Sequence, residues 1–167
     1  MNIVLIGMAG AGKSSVGPVL AKSLARPFVD VDTLMEQDQG LSLQEIVDRK
    51  GQTAFRIYEE QTLLSLDLTG HVIATGGSAI YSELGIRHLK QSSHLVLLDV
   101  PLDLLEERVD DVDQRGLVRQ DQQSFSSLYW ERRPLYHRHA DLIIDCSGKS
   151  ITGICQVIVA RLAMGSS

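Results

Sequence analysis

Residues Gly7 to Ser15 read GMAGAGKSS, directly behind the apolar run NIVLI at Asn2 to Ile6. A loop so poor in side chains builds no core, so its backbone N–H groups must serve another purpose. Gly7, Gly12, Lys13 and Ser14 satisfy G-x-x-x-x-G-K-[ST] between an expected strand and an expected helix, the context that confirms the pattern. Small residues let successive N–H groups turn inward around a phosphate, and the following helix adds the positive end of its dipole. Gly10, Ala11, Gly12, Lys13, Ser14 and Ser15 are therefore candidate nucleotide-binding residues. Lys13 is expected at the β- and γ-phosphates, and the Ser14 hydroxyl at Mg²⁺. A purine triphosphate is the natural ligand.

Outward from this loop, strands and helices alternate. NIVLIG, PFVDVD, HVIATGG, HLVLLDV and DLIID read as strands rich in Ile, Leu and Val. Helices are expected from Lys13 to about Ala25, from TLMEQ, from the capping-box pair Ser42 and Glu45, and over about Thr53 to Leu66. Others follow at SELGIRHLKQ, after Pro101, around Pro134 and from about Ser150. Residues 110–123, DDVDQRGLVRQDQQ, are polar and aperiodic and read as a mobile loop. This alternation predicts an α/β fold: a three-layer, open parallel β-sheet flanked by helices on both faces. Ligands of such sheets bind at the carboxyl ends of the strands.

The chain has 167 residues, 44% of them hydrophobic, so a single domain over 1–167 is expected. A fold of this size hides roughly 70% of the surface its unfolded chain exposes and needs no disulfide. Cys146 and Cys155 lack CxxC spacing and read as buried, reduced thiols, in keeping with a cytoplasmic protein. The N-terminus shows no signal-peptide pattern, and no apolar run nears the roughly 20 residues that span a bilayer. Sixteen Lys and Arg against 21 Asp and Glu give a net charge of −5, which disfavours a nucleic-acid partner. Arg108, Arg115, Arg119, Arg132, Arg133 and Arg138 nonetheless cluster in one third of the chain, suiting a small anionic ligand. No surplus apolar face stands out, so a monomer is the default expectation.

Asp30 and Asp32 alternate at the end of the second strand, which predicts two carboxylates on one side, facing the phosphate loop. Either could hold water around Mg²⁺ or accept a hydrogen bond from an attacking hydroxyl. The bland alternative makes Asp32 a helix cap, although Thr33 and Glu36 offer their own capping box. Asp99, ending LVLLD, reads equally as a Walker-B-like aspartate or as a carboxylate near a helix N-terminus. Arg56, with acids at i+3 and i+4, ordinarily reads as part of an exposed intrahelical ion pair. TGGS, Thr75 to Ser78, reads as a glycine turn offering backbone N–H donors. His137 and His139 could suggest a metal pair, but two histidines alone are more often surface or packing residues.

Taken together, GMAGAGKS, FVDVD, AFR, TGGSAI, RGLV and RRPLY resemble, in order and spacing, the shikimate kinase family from end to end. The resemblance implies a five-stranded sheet of nucleoside-monophosphate-kinase type, order 2-3-1-4-5, with residues 110–123 as the lid. It implies Mg²⁺ on Ser14 with Asp30 acting through water, and Asp32 orienting the attacking hydroxyl. Arg56 and Arg132 would clamp a carboxylate, helped by Gly76 and Gly77. Arg115 would swing in from the lid towards the phosphates, and Arg108 would lie against adenine, with Lys149 near the base. The implied reaction is transfer of the γ-phosphoryl group of ATP to the 3-hydroxyl of shikimate, in aromatic amino-acid biosynthesis.

Two positions depart from the family pattern: its third glycine is Ser78, and its lid proline is Gly116. If the third position needs a positive φ, serine there costs roughly 1–2 kcal/mol. It also adds a hydroxyl beside the acceptor site. A kinase of another small hydroxy-carboxylate is thus a second possibility. A non-catalytic ATP-binding module is a third, opposed by the intact phosphate loop.

Overall fold

The computed structural model describes residues 1–109 and 123–164. Five parallel strands form one sheet in which, numbered along the chain, the order is 2-3-1-4-5, as expected. The central strand, β1 (Asn2–Ile6), is buried at every position, which explains its unbroken apolar run. Its one polar residue, Asn2, is satisfied: Nδ2 donates to the Leu68 carbonyl at 2.6 Å and Oδ1 accepts from the His71 amide at 2.9 Å. The remaining strands are β2 (Phe28–Asp30), β3 (Val72–Ala74), β4 (Ser93–Asp99) and β5 (Leu142–Asp145).

Helix α1 (Lys13–Ser23) follows β1 and packs on β3 and on the last helix, α7 (Ile151–Met164). Gly17 brings α1 onto β2, because a Cβ there would stand 2.2 Å from the Phe28 ring. Helix α2 (Val31–Gln39) packs on α3 (Leu43–Ser65), and α3 packs on α4 (Glu83–Lys90). Helices α5 (Leu102–Val109) and α6 (Phe125–His139) contact each other. A short 3-10 helix, Gly77–Tyr81, follows β3.

Three local expectations need correction. The second strand stops at Asp30, because the Asp30 carboxylate accepts from the amides of Asp32 (3.0 Å) and Thr33 (3.4 Å) and so caps α2. Asp32 therefore lies in the first turn of a helix, not on a strand beside Asp30. The Thr33–Glu36 capping box does not form; the Glu36 carboxylate instead accepts from the Leu43 amide at 3.0 Å, tying α2 to α3. The two helices expected over Ser42 to Leu66 run together as α3, with a break at Gly51, where φ is 84° and ψ is 164°. The Ser42–Glu45 capping box does form.

Register decides where the site lies. Leu5 pairs with Ala74, and Asp30 also pairs with Ala74, so β1, β2 and β3 end at one level. The phosphate loop, the start of α2 and the Thr75-Gly76-Gly77 segment thus emerge side by side.

Candidate active site

A cavity of about 650 Å³ opens at these strand ends. Residues Ala9 to Val16 form one wall, and Asp32, Gly76, Gly77, Ser78 and Arg132 line the other end. The cavity also extends along Glu107, Arg108, Lys149, Ile151 and Ile154.

The phosphate loop is built as the sequence predicts. Gly12 takes the N-cap of α1 in a left-handed conformation (φ 98°, ψ 15°) and brings no side-chain cap. A residue with a Cβ is strained in that conformation, and the first turn of α1 is left open to an anion. Lys13 is buried, and its Nζ donates to the carbonyls of Gly7 (2.7 Å) and Met8 (2.9 Å). Burial lowers its pKa to about 8, with the nearby charges of Asp32 and Asp30 opposing the shift. Ser14 Oγ donates to Asp30 Oδ2 at 2.6 Å. Two hard oxygen ligands thus stand together beside the helix N-terminus, a donor set suited to Mg²⁺.

At the other end, two carboxylates crowd one glycine. A Cβ on Gly76 would meet Asp32 Oδ1 at 2.6 Å and Glu59 Oε1 at 2.7 Å, so any side chain there would have to displace these carboxylates. Burial pushes Asp32 up to about 6, and the Asp30 charge adds to this while Lys13 opposes it. Burial likewise pushes Glu59 up to about 7, against the pull of a hydrogen bond from Ser78. Ser78 Oγ donates to Glu59 Oε2 at 2.6 Å. Ser78 sits in the 3-10 helix, not at a positive φ, so the strain considered for serine at this position does not arise.

Arg132 is 1% exposed, and its Nε donates to the Tyr81 hydroxyl at 3.3 Å. Gly77 makes room for it: a Cβ there would lie 2.9 Å from Arg132 Nη1. The Tyr136 hydroxyl donates to the Gly77 carbonyl at 2.6 Å and holds this segment against α6. Arg56 does not line the cavity. Its guanidinium lies 4.3 Å from the centre of the Tyr81 ring, and that of Arg132 lies 5.2 Å from the same ring. The expected ion pairing along α3 gives way, since Glu59 takes Ser78 and Glu60 takes the Ser82 hydroxyl at 2.6 Å. Among the described residues, Arg56 Nε and Glu59 Oε1 are buried without hydrogen-bond partners.

Arg108 reaches over the phosphate loop, its Nη1 donating to the Gly10 carbonyl at 2.9 Å. Asp99 does not line the cavity. It accepts from Arg133 at 2.9 Å and lies 3.1 Å from His137 Nε2, so the Walker-B-like reading is overturned. Among the described residues no cluster of His, Cys, Asp and Glu forms a metal site, and both cysteines are buried and free. Arg115, Gly116 and the expected lid, apart from Gln123, lie outside the described residues.

Two residues escaped the sequence. Glu59 shares a helix face with Phe55 and Leu63, and a carboxylate inside that apolar stripe was its signal. Tyr81, which both arginines share, carried no signal beyond its place three residues after Ser78.

An open parallel sheet with a phosphate loop and an adjoining acid-lined cavity defines a P-loop kinase of small molecules. The family model "Shikimate kinase" matches residues 9–163. A shikimate kinase of Persephonella marina is 33% identical over 162 residues, covering 96% of this chain and 98% of the relative. The crystal structure of the Aquifex aeolicus shikimate kinase superposes with a TM-score of 0.87 at 32% identity, covering 99% of this chain and 98% of the other. The Acinetobacter baumannii shikimate kinase, solved in complex with shikimate, superposes with a TM-score of 0.91 at 32% identity, covering 98% and 93%. The chain belongs to the shikimate kinase family.

Proposed function

We propose that this chain transfers the γ-phosphoryl group of ATP to the 3-hydroxyl of shikimate, in the pathway to chorismate and the aromatic amino acids. The observation that carries it is the cavity end lined by Asp32, Gly76, Gly77 and Arg132, next to which two buried polar atoms stand without partners among the described residues. Among the described residues, buried Arg56 Nε lacks an acceptor and buried Glu59 Oε1 lacks a donor. Leaving such atoms unpaired costs about 1–3 kcal/mol each. A ligand bearing both a carboxylate and hydroxyls supplies what each lacks.

In this proposal the triphosphate lies along the phosphate loop, with its phosphates against the N-terminus of α1 and Lys13. The base lies towards Arg108, Lys149, Ile151 and Ile154. Ser14 and, through water, Asp30 would hold Mg²⁺, which when bound neutralises charge on the β- and γ-phosphates. Arg132, with Arg56 moving off the Tyr81 ring, grips the acceptor carboxylate through a planar fork. Backbone amides of Gly76 and Gly77 support that grip. Asp32 orients the attacking hydroxyl and takes its proton. Phosphoryl transfer needs little covalent help, so these residues act by positioning and charge neutralisation. Arg115 joins them by its place in the family pattern, from a lid that excludes water. Its two buried, reduced cysteines suit a cytoplasmic enzyme, which we take to be a monomer.

An ADP-release assay with Mg-ATP across shikimate and other small hydroxy-acids tests this. Release driven by shikimate at the lowest concentration is expected. Release driven by another hydroxy-acid alone would replace the acceptor while keeping the kinase.

A further inference from the structure

We propose that Ser78 is a positioning residue for the acceptor: its hydroxyl fixes the Glu59 carboxylate so that Oε1 faces the bound alcohol as a hydrogen-bond acceptor. This rests on the shikimate reading above. Ser78 is the residue at which this chain departs from the glycine of its family pattern, and it lines the cavity. It is 5% exposed, and it brings its own donor into a place that a glycine would leave bare.

Geometry links it to the acceptor through one carboxylate. Glu59 is 2% exposed; Oε2 takes the Ser78 hydroxyl at 2.6 Å, while Oε1 has no partner among the described residues. That free oxygen and Asp32 Oδ1 flank the same edge of Gly76, and Asp32 and Gly76 line the cavity. A carboxylate held at one oxygen presents the other in a fixed direction. Without that hold, Oε2 would lose its donor, and the carboxylate would lose its fixed direction or take up a proton.

The charges facing Glu59 come from several elements. Asp32 on α2 opposes its ionisation, while Arg56 on α3 and Arg132 on α6 favour it. The Ser78 hydrogen bond, from the 3-10 helix, adds to the favourable side. It thus opposes, without outweighing, the burial that raises Glu59 to about 7, and extends downward the pH range in which Oε1 is an acceptor.

The test is steady-state kinetics of Ser78→Ala and Ser78→Thr against wild type, varying shikimate and ATP separately. Ser78→Ala is expected to raise the KM for shikimate about tenfold, with the KM for ATP within about twofold, consistent with one lost hydrogen bond. The acid limb of kcat/KM for shikimate should move to higher pH, and Ser78→Thr should restore both. If Ser78→Ala does not fold, Ser78→Val against Ser78→Thr makes the same comparison at equal shape. Unchanged shikimate KM and pH profile, or equal losses for both substrates, would overturn the positioning role while leaving the kinase assignment intact. Absence of shikimate turnover by the wild-type protein would overturn both.

Discussion

Ser14 and Asp30 are joined across 2.6 Å, and the same aspartate uses its other oxygen to cap α2 through the amides of Asp32 and Thr33. One carboxylate therefore ties the first turn of α1 to the first turn of α2. Its two duties can be separated by substitution.

Asp30→Asn keeps an acceptor for the cap and loses the charge; Asp30→Ala loses both. Both variants are expected to raise the Mg²⁺ concentration for half-maximal ADP release about tenfold or more, as loss of an outer-sphere carboxylate does. Only Asp30→Ala should also lose about 1 kcal/mol of stability in denaturant unfolding, the usual worth of an N-cap. An unchanged Mg²⁺ requirement in both would remove Asp30 from the metal site.

Arg132 is enclosed by Gly77, Tyr81 and Tyr136, so its planar fork cannot be copied by an ammonium group. Arg132→Lys should raise the KM for shikimate by about 30-fold or more, corresponding to roughly 2 kcal/mol. The KM for ATP should change far less. Equal losses for the two ligands would argue against a carboxylate clamp.

Asp32 must be ionised to take a proton, and burial raises it to about 6. The rate should therefore climb as pH rises through about 6 and level off above it. Asp32→Asn should lower kcat by about 10²- to 10⁴-fold, the usual contribution of a general base. It should also remove Asp32's part of that limb and leave the part that Glu59 sets through shikimate binding, which pH–rate curves of both proteins would show.

Five apolar strands, the Gly7 to Ser14 spacing and the Ser42–Glu45 cap were legible because each rests on local chemistry: burial, an anion-binding turn, a reciprocal cap. What could not be read depended on contacts between distant segments. Asp30 took the cap that seemed open to Asp32, and this curtailed a strand that alternation alone would have extended. Asp99 looked free at its strand end until α6 brought Arg133 and His137 to it. Glu59 seemed to belong with Arg56 on an exposed face, whereas Ser78, 19 residues away, draws it inside. Arg56 itself was placed in the acceptor site only by the family resemblance, and the structure stacks it on the Tyr81 ring.

Glu59 gives the last prediction, on stability rather than rate. Its folded value of about 7 stands above the ordinary 4.5, chiefly because burial disfavours its charge. The native state therefore keeps a proton that the unfolded chain releases. The stabilisation is full below about 4.5 and is lost as pH rises through about 7. At 1.36 kcal/mol per pH unit, the loss is on the order of 3 kcal/mol, or several degrees in Tm for a chain this long. Glu59→Gln removes this proton exchange at nearly constant shape. Melting curves of the ligand-free proteins between pH 4.5 and 7.5 should then fall less steeply for the variant. A residual slope should persist, because Asp32 is raised in the same sense. Parallel curves would mean that Glu59 is already ionised in the native protein, held so by Arg56, Arg132 and the Ser78 hydroxyl.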